Sequence, residues 1–433
     1  MRTNTKKEKV NLVSLGCSKN LVDSEVLLRQ FQAHGLSIIN DPLKADHIVI
    51  NTCGFINDAK DESIHAILEA VNLKISGKVK KVIVMGCLSE RYRDELKKEI
   101  PEVDGYFGVT DYKGVLNELG LNLKYELLGE RYLTTPKHFT YLKISEGCNN
   151  PCSFCAIPFI RGKHTSKPKE KVINEAKYLA EKGVKELIII AQDSTYYGLD
   201  LYGKRELVNL LFELTKINGI EWIRLLYAFP AKFPEEILDI IASEEKICKY
   251  IDLPLQHISD KVLKSMQRGI TKRRTYELIE LIRTKVPGIA IRTTLIVGYP
   301  EETEKEFEEL VQFVKDTEFD RLGVFAYSRE ENTKAFELGD PISEKVKQER
   351  LFHILEIQKE ISLKKNNSML GKKVKVLIDE VDLQNGYIGR TEKDAPEVDN
   401  SVIIFSDSNI EPGNFYEVYI TDAMEYDLIG RIK

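Results

Sequence analysis

The stretch YLKISEGCNNPCSFCAIPFIRGKH, residues 141–164, decides how this chain is read. It opens on a short apolar run, YLKIS (141–145), and passes into a loop carrying Cys148, Cys152 and Cys155 at the spacing C-x3-C-x2-C. An apolar run of that length, closed by a glycine, reads as a buried strand. In parallel α/β folds the loops at the carboxyl ends of strands form the active face. This loop therefore stands where chemistry is done. Its three thiols form an incomplete set, with no fourth cysteine nearby.

Outward from this point the pattern repeats. ELIIIAQ (186–192), WIRLLYA (222–228), YIDLPL (250–255), IRTTLIVG (291–298) and LGVFAYS (322–328) read as further strands. Helical stretches such as KEKVINEAKYLAEKG and RRTYELIELIRTK lie between them. Six βα units predict a partial parallel barrel over residues 134–365. Upstream, over 9–130, VNLVSLG (10–16), HIVINT (47–52) and KVIVMG (81–86) each lead into an amphipathic helix, which predicts a separate parallel α/β domain. Downstream, a helical stretch (342–365) leads to a polar junction, KKNNSMLGKK. Then KVKVLID, NGYIGRT, SVIIFS, FYEVYIT and DLIGRI predict a small all-β barrel of the OB kind over 366–433. The fold class expected is thus α/β, with an all-β C-terminal module.

Composition bounds the function. The chain has 433 residues, 42% hydrophobic and 30% charged, as a soluble globular protein does. The basic start, MRTNTKKEKV, meets no apolar run of a secretory leader, and no stretch is apolar enough to span a membrane. A cytoplasmic location without membrane partners is expected. A net charge of -5 argues against a strong general affinity for nucleic acid. Seven cysteines in such a chain do not form a disulfide framework. Cys248, in KICKY, has no cysteine neighbour and reads as a buried structural thiol.

The other six fall into two sets. The three N-terminal strands end at SLG-Cys17, INT-Cys53 and VMG-Cys87. Ligands bind at the carboxyl edge of an open α/β sheet, so these cysteines can build one metal site from residues about 35 apart in sequence. The bland alternative is three unrelated strand-end thiols. For Cys148, Cys152 and Cys155 two chemistries are open. Zinc could use His164 to complete a four-ligand site. A 4Fe–4S cluster normally takes four thiolates, so three would leave one iron free for a small molecule.

The cysteine loop after the first barrel strand resembles the signature of the radical S-adenosylmethionine superfamily. SLGCSKNLVDSE (14–25), INTCGFI (50–56), GCNNPCSFCAIPFIRGKH (147–164), AQDSTYYG (191–198), LPLQHISDKVLKSMQRG (253–269) and TLIVGYPEET (294–303) are together similar to the methylthiotransferases of that superfamily. So is the order of parts, ending in a TRAM domain. The resemblance covers nearly the whole chain. It implies two 4Fe–4S clusters, an auxiliary one on Cys17, Cys53 and Cys87 and a radical one on Cys148, Cys152 and Cys155. It implies S-adenosylmethionine as cofactor, and a low-potential reductant and a sulfur donor as partners. The product would be a C–SCH3 group made at an unactivated C–H bond.

SLGCSKNLVDSE and the IRGKH ending resemble the branch that modifies the β-carbon of an aspartate in small-subunit ribosomal protein S12. The tRNA-adenosine branch is the alternative, and a metal-stabilised RNA-binding protein without catalysis is a further one. Residues 366–433 carry seven Lys and Arg against thirteen Asp and Glu, a net of -6, which suits a basic protein better than RNA.

The resemblance also nominates cofactor-binding residues. Phe154 occupies the aromatic position near the adenine. Gln192 and Asp193 end the second barrel strand, where the methionyl amino group is held. Arg292 and Gly298 belong to the strand that shapes the pocket. Their bland readings are core packing, a helix N-cap, an ion-paired arginine and a turn glycine. Arg161, Lys163 and His164 read as a solvated loop as readily as a site.

Overall fold

A computed structural model of the chain describes residues 7–382, 386–406 and 409–432. The opening six residues, on which the leader reading rests, lie outside these. So do Asn385, which begins the expected strand NGYIGRT, and the final residue of the expected C-terminal module. The chain divides into two compact units. The first runs to Thr134 and takes in Glu146–Asn149 and Ala156–Thr165. The second holds Thr135–Ser145, Asn150–Cys155 and everything from Ser166 onward.

In the first unit five parallel strands form one sheet in the order Ser37–Ile38, Lys9–Ser14, His47–Thr52, Lys81–Gly86, Gly105–Tyr106. Every residue of His47–Thr52 is buried, as expected of a strand covered on both faces. Val10, Leu27, Phe31, Val49, Ile83 and Met85 belong to one of the unit's apolar clusters, and Ile48, Ile50, Ile67, Val82 and Val84 to another. Chain order 2-1-3-4-5 reverses direction between the first and third strands, and at such a switch point the carboxyl edge opens into a crevice.

The second unit begins with six parallel strands in two sets of three. One set is ordered Trp222–Leu225, Glu186–Ile190, Phe139–Lys143, and the other Tyr250–Asp252, Ala290–Val297, Arg321–Ala326. A parallel bridge joins Ile223 of the first set to Ile247, just ahead of the strand Tyr250–Asp252. Each strand falls within, or overlaps, a run read as a strand from sequence, so the six-unit α/β expectation is met. The helix Glu304–Thr317 starts on a capping box, with Thr303 and Glu306 each satisfying the other's backbone. The long helix is Glu344–Asn367.

After it come five strands in a closed barrel, ordered Lys373–Asp382, Gly386–Arg390, Val402–Ser406, Leu428–Ile432, Phe415–Ala423. Only the pairing of Val402–Ser406 with Leu428–Ile432 is parallel. Bulges near Ile378 and Ile420 bend the two longest strands, which lets so small a barrel close.

The barrel's 391–399 loop is tied to the parallel strands by charge. Arg224, fully buried, donates to Glu186 at 2.8 Å and to the carbonyl of Glu392 at 2.6 Å. Glu186 also pairs with Arg390 at 2.9 Å. Arg390 in turn grips Asp379, which accepts from His138 at 2.8 Å when that ring nitrogen carries the proton. Asp394 pairs with Arg321, and Asp399 with Arg292 and the Tyr250 hydroxyl. Burial alone would raise the Glu186 carboxyl, but Arg390 and Arg224 hold it below its ordinary value, so it stays ionised. Replacing it with Gln leaves two buried arginines facing each other. Glu186→Gln is expected to destabilise the protein by roughly 3–5 kcal/mol, read as a lower midpoint in denaturant. An unchanged midpoint would refute the role given to this network.

The network also corrects the charge argument. Three of the acids counted in the net of -6, Asp379, Asp394 and Asp399, are ion-paired within the unit. The outer surface of the small barrel is less acidic than its composition.

Candidate functional site

The strand-end cysteines sit at the switch point of the first unit. His47–Thr52 and Lys81–Gly86 pair in register through Thr52 and Gly86, so Cys53 and Cys87 are the next residues on adjacent strands. Cys17 follows the neighbouring strand and precedes the helix Ser18–Ala33. Gly16 makes the approach possible. Its φ is +85°, and a Cβ there would stand 2.8 Å from the Cys53 sulfur. Any side chain at 16 would push that thiol away.

One asparagine knits this edge together. Asn20 donates to the carbonyls of Leu15 and Thr52, at 2.9 and 3.0 Å, and its own carbonyl oxygen lies 3.6 Å from the Cys87 sulfur. Asn51 donates to the Asn20 backbone and to Ser24. This accounts for the asparagine of SLGCSKNLVDSE. Above it lies Arg161, whose side chain is 1% exposed. It donates to Asp23 at 3.1 Å, Glu146 at 2.9 Å, the Asn20 side chain and, at 3.6 Å, the Cys87 sulfur. The IRGKH ending marks the branch of the family, and its sequence leaves Arg161 as readily in a solvated loop as in a site. Its arginine is instead an internal cation of the first unit.

Cys17 is exposed; Cys53 and Cys87 are buried. Burial pushes the Cys53 thiol up, and pushes Cys87 up to about 12. Arg161 opposes the shift at Cys87, and the neighbouring thiols add to it. Cys53 and Cys87 thus feel the charge of other thiols in the set. Among the described residues no three His, Cys, Asp or Glu side chains form a group that could hold a metal ion. A four-iron cluster meets each thiolate at a separate corner and asks for wider spacing than one ion does. Three neighbouring thiols with a cation beside them fit that donor chemistry.

Of the second triad, Cys148 belongs to the first unit and Cys152 and Cys155 to the second. The Cys148 backbone donates to the carbonyl of Gly162 at 3.1 Å. Gly147, at φ +70°, passes so close that a Cβ would stand 2.3 Å from the Lys163 carbonyl oxygen. Between Cys152 and Cys155, Ser153 is clamped. Its backbone donates to Met266 and accepts from Ala335, and its hydroxyl lies 2.8 Å from the Ser265 carbonyl and 3.1 Å from the Tyr299 hydroxyl. Arg268, 4% exposed, donates to the Cys152 sulfur at 3.1 Å and lies over the Phe229 ring. Neither Ser153 nor Arg268 was singled out from sequence. The only trace of Arg268 was its place in the QRG that closes a motif.

The nominated cofactor residues do not all gather. Phe154 packs, partly buried, against Met266, Tyr299 and Tyr327. Asp193 caps the short helical turn Ser194–Tyr196, as its bland reading held, and also accepts from Asn150 of the cysteine loop at 2.9 Å. Gln192 is half-buried beside it. Gly298 ends its strand at φ +74°, where its backbone donates to Glu302. Arg292 stands at the other end of that strand, six residues and about 20 Å away. There it pairs with Asp252 at 2.9 Å and Asp399 at 3.3 Å, and lines a 250 Å³ cavity with Arg321 and Gln358. Its ion-paired reading is the one its surroundings support. Cys248 is buried and its thiol is pushed up to about 12, as a structural cysteine should be. His164 is buried as well, its backbone donating to Asn149.

Comparison with known proteins adds the following. Residues 142–314 match the radical SAM superfamily, residues 9–108 the uncharacterized protein family UPF0004, and residues 370–432 the TRAM domain. A solved radical S-adenosylmethionine methyltransferase, TsrM from Kitasatospora setae, shares the fold at a TM-score of 0.55 and 15% identity, over 76% of this chain and 77% of that one. Ribosomal protein uS12 methylthiotransferase RimO of Chloroherpeton thalassium is 55% identical over 432 residues, 99% of each chain. The protein of that name from Flavobacterium psychrophilum is 54% identical over the same share. With identity above half along almost its full length, and the motifs of all three parts in place, the chain belongs to the RimO family of ribosomal protein uS12 methylthiotransferases.

Proposed function

We propose that this chain is a transferase that places a methylthio group on the β-carbon of an aspartate in ribosomal protein uS12. It does so by radical S-adenosylmethionine chemistry with two 4Fe–4S clusters. The observation that carries this reading is the pair of incomplete cysteine sets, one at the switch point of a parallel sheet and one on the loop after the first strand of a βα barrel. When bound, the clusters and S-adenosylmethionine supply a radical able to break an unactivated C–H bond and a site from which methylthio can be delivered.

The residues have separate tasks. Cys148, Cys152 and Cys155 would ligate the radical cluster, and Cys17, Cys53 and Cys87 the auxiliary one. Ser153 and Arg268 hold the radical loop in shape. Asp193, through Asn150, ties the end of the second barrel strand to that loop. Phe154, Gln192 and Gly298 remain the residues proposed to meet S-adenosylmethionine. Arg292 is left out, because its charge is already matched by two carboxylates. The proposed functional parts are 9–130 for the auxiliary site, 134–365 for the radical site and 366–433 for the TRAM module. A low-potential electron donor and a sulfur donor complete the partners. No helix among the described residues is long and apolar enough to cross a membrane, which is compatible with the cytoplasmic setting we propose. The uS12 name of the two relatives described above favours this substrate over the tRNA-adenosine alternative.

The test is an anaerobic reaction of reconstituted protein with S-adenosylmethionine, a low-potential reductant and uS12, free or in the small subunit. Mass spectrometry of the digested substrate should show a gain of about 46 mass units at one aspartate, H replaced by SCH3. Unmodified uS12 alongside methylthiolated adenosine in a parallel tRNA reaction would overturn the substrate assignment.

A further inference from the structure

Arg161 is more than part of a loop motif. Its guanidinium is buried in the first unit among Asp23, Glu146, Asn20 and the sulfur of Cys87. Burying an arginine is costly unless its donors are matched, and here two carboxylates and an amide oxygen match them. What they leave is a donor aimed at a cysteine sulfur. Hydrogen bonds to ligating sulfurs and nearby net charge are the main levers on the potential of an iron–sulfur cluster. Reduction adds an electron, and a fixed cation in a low-dielectric setting favours that state.

We infer that Arg161 is a positioning residue of the auxiliary site, holding the Cys87 sulfur by a charge-assisted hydrogen bond and raising the reduction potential of the cluster bound there. This rests on reading Cys17, Cys53 and Cys87 as ligands. The surrounding acids give the inference a signature. Removing the cation leaves Asp23 and Glu146 uncompensated near the sulfur, and the potential falls. Removing one acid leaves the cation less compensated, and the potential rises. A residue that merely supports the fold would not produce shifts of opposite sign.

The experiment uses the full chain with Cys148, Cys152 and Cys155 replaced by alanine, so that iron can bind only at the strand-end set. After anaerobic reconstitution, the reduced fraction is followed by electron paramagnetic resonance against applied potential. Arg161→Gln is expected to lower the reduced-to-oxidised ratio at a fixed potential tenfold or more, which is about 59 mV for a one-electron couple. Arg161→Lys should fall between, because it keeps the charge but loses the planar fork. Glu146→Gln should raise the ratio. Unchanged ratios in Arg161→Gln and Glu146→Gln, or shifts of the same sign, would overturn the inference. If Arg161→Gln takes up no iron, Glu146→Gln decides by its sign, since its side chain is partly exposed and its loss is tolerable. A parent background that binds no iron would sink the ligand reading itself, and the proposal with it.

Discussion

Replacing Cys152 with alanine is expected to abolish both 5′-deoxyadenosine formation and modification of uS12, and to cut the bound iron from about eight atoms per chain to about four. The set at 148–155 has three thiolates and no spare. Removing one takes away a third of the cluster's protein ligands. The change also strips Arg268 of its sulfur partner. That cation is buried over Phe229, with the Pro254 carbonyl as its other acceptor. Loss of an outer-shell partner alone costs a metal site roughly 10–100-fold, so loss of the ligand should exceed that and fall below detection. Arg268→Lys, by contrast, should stay within the 10–100-fold range. Iron analysis and chromatography of the nucleoside product settle the point. A Cys152→Ala enzyme that still yields 5′-deoxyadenosine would remove Cys152 from the ligand set.

Cys17→Ala should separate the two halves of the reaction. Turnover of S-adenosylmethionine to 5′-deoxyadenosine should persist, while methylthiolated uS12 disappears. Cys17 is the right member of its set to change because it is exposed, whereas Cys53 and Cys87 are buried. Exposed substitutions usually alter stability by no more than about 0.5 kcal/mol. An unchanged melting temperature beside a lost product therefore assigns the loss to chemistry. Measuring both products in one reaction makes the comparison internal. If methylthiolated uS12 still forms at the parent rate, the strand-end cysteines are not the auxiliary ligands.

Much of this was legible in the sequence because the signals are local. Apolar runs such as HIVINT and ELIII read as buried strands over a handful of residues, and both are fully buried. The placement of Cys17, Cys53 and Cys87 just after three such runs follows from the same pattern. Counting charge was less safe. The net of -6 over 366–433 says nothing of which acids face inward, and Asp394 and Asp399 prove to be 3% and 1% exposed. Arg292 shows a similar limit. It was nominated through its strand, but a strand has two ends, and six residues carry a side chain across most of a layer.

The sequence alone determined the order of parts, the two sets of three cysteines and the parallel sheets, because strand periodicity and ligand spacing are written in consecutive residues. Only the tertiary structure decided what surrounds those cysteines. Arg161 meets Asn20 across 141 residues, Arg268 meets Cys152 across 116, and Arg224 meets Glu392 across 168. Pairings of that range leave no period to read. A buried charge finds its partner through the fold's geometry, and a cation matched by a distant carboxylate or sulfur looks, in the linear chain, like any solvated arginine.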